Sequence, residues 1–284
     1  MKKGRTKWIV LGVVGTLVIG IGVAAGACVY HFIGIPTCVG DTSYDIEVRE
    51  VHTQAKDIDI FGKTIVPKGE KDQKYPTIIY AHGAESDYKA DMTTLKSLAK
   101  SGLACYTFDF YGWTSRTKGP KPGAWFKGHP RGVDNAYPEK VLEQVDELNA
   151  VIENVKTFPY VDLDRIYLLG SSMGGATVAT CAPFHSEDIH SIVLQYPAIN
   201  LNPNAYNPAS EYEVTKYTNN VLILQGDNDK IVPLSMSEEL YSYYNHDEKK
   251  AEMIVYPGQP HVFTGEYKVQ AARDIYRFLI TEGK

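Results

Sequence analysis

The chain has 284 residues, 44% of them hydrophobic and 22% charged, with a net charge of −5. That length suits one α/β domain with an ample core, and the acidic balance argues against nucleic acid as a partner. Four cysteines without Cys-x-x-Cys or Cys/His ligand spacing argue against a metal site.

The first thirty residues differ in kind from those that follow. Lys2, Lys3, Arg5 and Lys7 precede Trp8 to Tyr30, a stretch of 23 residues without a charge, longer than the roughly 20 needed to span a bilayer. The basic residues lie before it, so the N-terminus is expected in the cytoplasm and the domain beyond it outside the membrane. The expected organisation is a cytoplasmic segment 1–7, a transmembrane signal anchor 8–30, a tether 31–44 and a single α/β domain 45–284. Ala25-Gly26-Ala27 followed by Cys28 leaves two alternatives: cleavage to a secreted protein, or lipid anchoring. Without the four N-terminal basic residues, 25 basic residues stand against 34 acidic ones, a charge of −9 for the exported part.

Residues 46–66 alternate as a β-hairpin. Thr77-Ile78-Ile79-Tyr80-Ala81 is an apolar strand running into His82-Gly83-Ala84, and helix 90–101 and strand 104–109 follow. Residues 110–137 form a long connection holding Trp113, Trp125, Phe126 and Tyr137 beside five cations. It either folds over a site, its aromatics lining a pocket, or is a solvated excursion anchored by a few rings. Helix 138–157 starts on a proline suited to its first turn and carries an apolar stripe.

Strand 165–170 runs directly into Gly170-Ser171-Ser172-Met173-Gly174, a G-x-S-x-G sequence, with helix 173–182 behind it. Strand, tight turn and helix are the context of a nucleophile elbow: small neighbours tolerate the strained middle residue, and the turn thrusts the Ser172 hydroxyl clear of the sheet. Strand 192–196 is followed by residues 197–220, a connection too short for a full cap. Strand 221–225 ends in Gly226-Asp227-Asn228-Asp229, which offers two carboxylates. Helix 235–245 precedes strand 251–256, which passes through Pro257-Gly258-Gln259-Pro260 to His261, and helix 267–281 closes the chain. A serine needs a base, the base an orienting carboxylate, and the oxyanion preorganised donors. The order Ser, Asp, His, each after an apolar strand, meets the first two needs.

These stretches resemble the α/β-hydrolase superfamily, and more narrowly the bacterial esterase, lysophospholipase and serine-aminopeptidase-like group. The likeness rests on His82-Gly83-Ala84, Asp109 to Gly112, Gly170 to Gly175, Gly226 to Pro233 and Pro257 to Phe263, which span most of the chain after residue 45. It implies a mostly parallel eight-stranded sheet with helices on both faces and no large cap. It also implies Ser172 as nucleophile, His261 as general base, Asp229 rather than Asp227 as its acid, and the amides of Ala84 and Met173 as the oxyanion hole. Tyr111, Trp113 and Trp125 are the candidate pocket residues. The sequence departs from relatives where Tyr111-Gly112 runs into Trp113-Thr114-Ser115-Arg116, and this bears on the substrate-facing loop. The expected partner is a small ester or acyl substrate, with no cofactor, no obligate protein partner, and membrane contact through the N-terminal helix alone.

Overall fold

The computed structural model describes residues 38–119, 138–199, 214–245 and 251–281. The expected membrane span, Trp125, and most of the connection between residues 197 and 220 lie outside these. Among the described residues no helix is long and apolar enough to cross a membrane.

Elements appear in the order β1 (Ile46–Ala55), β2 (Ile58–Pro67), β3 (Tyr75–Ala81), α1 (Met92–Lys100), β4 (Ala104–Phe108), α2 (Pro138–Lys156), β5 (Val161–Ser171), α3 (Met173–Cys181), β6 (Ile189–Gln195), β7 (Asn220–Gly226), α4 (Leu234–Tyr244), β8 (Ala251–Tyr256) and α5 (Gly265–Thr281). A 3-10 turn, Ala182–His185, separates α3 from β6. The eight strands form one sheet in the order β1-β2-β4-β3-β5-β6-β7-β8. Only β2 runs against its neighbours; the pairs from β4 to β8 are parallel. This is the α/β-hydrolase architecture. The chain moves outward from β3 to β4 and then crosses to β5 on the other side, so the order reverses between β3 and β5. Ligand sites of open α/β sheets lie at such a reversal, beyond the carboxyl ends of the strands.

Strands buried on both faces read as continuous apolar runs, and their alternation sorts two cores. Ile79, Ala81, Leu168, Ile192 and Ile223 face the side covered by α2, α3 and α4. Ile78, Tyr80, Leu169, Val193 and Leu222 face α1 and α5. β5 and β6 begin four and three residues earlier than the sequence suggests, because Asp162, Asp164 and Arg165 and then His190 interrupt the apolar signal at their solvated ends. The last residues of the expected tether are docked. The amides of Val39 and Gly40 donate to Ser101 Oγ (2.8 and 3.0 Å), and Tyr44 N–H donates to the Lys100 carbonyl (2.8 Å).

Candidate active site

Ser172 sits between β5 and α3 at φ +55° and ψ −119°, a region costly for a residue with a side chain. Its surroundings enforce it. Its N–H donates to the Gln195 carbonyl, and its own carbonyl accepts from Ala176 and Ala198 (3.0–3.1 Å). The turn closes only because its flanks lack side chains. A Cβ on Gly170 would strike the Gly174 carbonyl, and one on Gly174 would lie within the carbonyl oxygens of Ala81 and His82. Gly174→Ala is therefore expected to cost about 3 kcal/mol of stability, since backbone cannot yield as a flexible side chain does; a denaturant midpoint unchanged from wild type would refute this.

The imidazole of His261 lies in the loop after β8, its Nε2 2.9 Å from Ser172 Oγ and its Nδ1 2.7 Å from Asp229 Oδ2. The carboxylate can only accept, so Nδ1 carries the proton and Nε2 is free to accept the serine O–H. Asp229 is fully enclosed at its side chain and saturated with donors. Its Oδ1 takes the N–H groups of Ile231 (2.8 Å) and Val232 (2.9 Å), and Oδ2 takes Gln225 Nε2 (3.1 Å) besides His261. Burial pushes this carboxyl up, but His261 and the two amides outweigh it and hold it below its ordinary value. Asp227 is exposed, and its Oδ1 accepts Gly258 N–H (2.6 Å). Together with Asn228 N–H on the Gln259 carbonyl (3.1 Å), it zips the loop after β7 to the loop that carries His261. The two carboxylates thus have different work.

Gly83 abuts the serine: a Cβ there would lie 3.2 Å from Ser172 Cβ. Ala84 follows it in the exposed turn after β3. Met173 opens α3, where N–H groups have no intrahelical acceptor and the helix dipole favours negative charge. His82 is wholly buried and committed to the scaffold. Phe110 N–H donates to its Nε2 (3.1 Å), so Nδ1–H donates to the Gly83 carbonyl (2.7 Å). Burial lowers its pKa, which keeps it neutral and pins the turn after β3 to the end of β4.

Three further groups were not evident in the sequence. Gln225 supports Asp229 and is itself held by Ser237 Oγ (2.8 Å). Buried Asp109 accepts Tyr88 N–H (2.8 Å), Thr114 Oγ1 (2.7 Å) and Arg116 Nε (2.7 Å). Arg116 also reaches Asp87 (2.7 Å) and lies over the rings of Tyr88 and Phe61, strapping residues 110–117 to the turn after β3. Tyr196 packs on His261. Among the candidate pocket residues, Tyr111 lays its ring close against Gly119 and Trp113 packs against the core that α2, α3 and α4 cover. Glu153, His185 and Asp188 cluster at metal-like spacing, but Lys156 bridges both carboxylates (3.2 and 3.0 Å), so an ammonium already balances them.

The profile of the dienelactone hydrolase family matches residues 66–277. The chain belongs to that family. Its membership places it among the hydrolases of the α/β-hydrolase superfamily, as the order of motifs implied. Dienelactone hydrolase family membership is accompanied by similarity to the uncharacterized protein YfhR of Salmonella typhimurium, 25% identical over 224 residues, which are 70% of this chain and 69% of YfhR. Among solved structures, Est1E from Butyrivibrio proteoclasticus with ferulic acid bound superposes with a TM-score of 0.62 at 21% identity, covering 81% of this chain and 99% of Est1E. The acylaminoacyl peptidase of Pyrococcus horikoshii gives 0.65 at 15% identity over 84% of this chain and 42% of the peptidase. At such identities the likeness is one of fold.

Proposed function

We propose that this hydrolase cleaves carboxylic esters through Ser172, His261 and Asp229, from a domain held at the outer face of the cell membrane by residues 8–30. The observation that supports the chemistry most directly is the continuous relay from Ser172 Oγ to His261 to Asp229 at a serine held in a strained turn. In the proposed cycle His261 Nε2 takes the serine proton as the oxygen attacks the ester carbonyl, and the alcohol leaves with that proton. Water then releases the acyl group with His261 acting again as base. The amides of Ala84 and Met173 would bind the oxyanion, each such donor contributing about 10²–10³ in rate. Ile231, two residues past Asp229, and Val262, next to His261, are 58% and 56% exposed and offer apolar contact to a bulky substrate. Tyr111, Trp113 and Trp125 remain the proposed pocket residues of the loop beyond β4. The anchoring rests on the uncharged stretch from Trp8 to Tyr30 and the four cations before it.

Est1E binds ferulic acid, a carboxylic acid such as ester cleavage releases, while the acylaminoacyl peptidase has the same fold, so amides are the natural competitor. The test is a panel of p-nitrophenyl esters against aminoacyl and prolyl amides, with fluorophosphonate labelling in cells producing the full chain. Esters are expected to be turned over, and the labelled band to sediment with membranes and be removed by protease added outside. Amide turnover without ester turnover overturns the substrate class, and a soluble labelled band overturns the anchor.

A further inference from the structure

Hydrogen bonds at Nδ1 and Nε2 hold the His261 imidazole. They restrain it less against swinging as a body about Nδ1. That swing would carry Nε2 off the Ser172 O–H without breaking contact with Asp229. An aromatic ring packed against the imidazole resists this motion, and the structure supplies one. The ring of Tyr196 lies with its centroid 4.7 Å from that of His261, tilted by 56°. Phe263 backs it edge-on at 5.1 Å and is itself buttressed by Tyr256 at 4.8 Å.

The backbone of Tyr196 is distorted to deliver the ring there. Of the five non-glycine residues with positive φ among the described residues, Tyr196 is the aromatic one, at +39°, a conformation that bulky side chains disfavour. Its neighbours over-determine it: Tyr196 N–H donates to the Leu224 carbonyl (2.7 Å) and Ala198 N–H to the Ser172 carbonyl (3.0 Å), and Pro197 lies against Gly175. Glycine would adopt this φ without strain but would remove the ring packed on the imidazole. The hydroxyl is used apart from this, in a hydrogen bond with Ser171, whose Oγ also accepts from Tyr80 (3.3 Å). Strain of this kind at adjacent strand ends, in Ser172 and in Tyr196, is what a preorganised site stores.

We propose that Tyr196 is a positioning residue for the ester-cleaving relay, its ring packing against the His261 imidazole and restraining its swing so that Nε2 stays aligned on the Ser172 hydroxyl. The inference rests on the Ser172–His261–Asp229 reading and concerns the ring, not the hydroxyl. Three variants of the full chain separate the roles: Tyr196→Phe keeps the ring, Tyr196→Leu keeps apolar volume without an aromatic ring, and Tyr196→Gly removes the ring and relieves the backbone. Each is assayed below its Tm for kcat and KM on p-nitrophenyl acetate and for the rate of fluorophosphonate labelling. Tyr196→Phe should stay within about threefold of wild type. Tyr196→Leu and Tyr196→Gly should lose about 10–100-fold in kcat and in labelling rate, the scale of a small misplacement of reacting groups. KM should move by less than about threefold, because the lost interaction acts in the transition state. The leucine variant carries the test if the glycine variant does not fold. Wild-type kcat in either overturns the proposal, as does a loss in Tyr196→Phe equal to theirs, or a change confined to KM. Failure of the underlying relay reads differently: Ser172→Ala would still take the probe, and that result overturns both.

Discussion

Ser172→Ala and His261→Ala should each lower kcat by on the order of 10⁵–10⁶, and the double variant should fall little further. The reason is that in the proposed cycle the two side chains perform one event. With Oγ 2.9 Å from Nε2, the serine is a nucleophile only as it loses its proton to the imidazole, and the imidazole is useful only while the serine is there. Removing either deletes the whole step. What survives is binding and the oxyanion donors, which do not depend on either side chain and keep a rate above that of water. Both variants should remain folded, since Ser172 and His261 stand at the rim rather than in the core; circular dichroism and a thermal scan check this. The measurement is kcat on an activated ester for the two single variants and the double. Two independent losses that multiply in the double variant would mean the groups act separately, and the relay would have to be abandoned.

What made the relay legible was local: Ser172, Asp229 and His261 each follow an apolar strand through a short turn, and strands β5, β7 and β8 are parallel, so their carboxyl ends lie on one edge. Parallel strands buried on both faces advertise themselves as Val/Ile/Leu runs, which is why the sheet could be drawn from the sequence, apart from the charged starts of β5 and β6. The choice between Asp227 and Asp229 is of another kind. Both belong to the same turn, where the family resemblance alone favours Asp229; the structure separates them by burial, since Asp229 is enclosed by four donors while Asp227 is exposed and takes one N–H from the neighbouring loop. The strap from Arg116 to Asp109 and Asp87 joins residues from separate loops, and no periodicity marks it. Tyr196 reads in sequence as the last residue of a strand. Its positive φ arises from hydrogen bonds to Leu224 and across Ala198, partners supplied only by the tertiary fold.

Asp229→Asn should lower kcat at neutral pH by about 10⁴, the scale seen when such an acid becomes an amide with its geometry intact. The amide oxygen can replace Oδ1 and keep the N–H groups of Ile231 and Val232. The NH₂ then stands where Oδ2 was, facing two donors, Gln225 Nε2 at 3.1 Å and His261 Nδ1–H at 2.7 Å. The imidazole relieves the conflict by moving its proton to Nε2, where it faces Ser172 as a donor and can no longer accept the hydroxyl proton. Asp227→Asn is the contrast: its single partner is the Gly258 N–H, which an amide oxygen still accepts, so kcat should change by less than about threefold. Because the folded carboxyl of Asp229 is held below its ordinary value, it stabilises the wild type above the unfolded-state value, and that contribution is lost as pH falls through the folded one. The Tm advantage of wild type over Asp229→Asn should therefore shrink on acidification through the carboxylate range. Larger losses in Asp227→Asn than in Asp229→Asn would reverse the assignment of the two carboxylates.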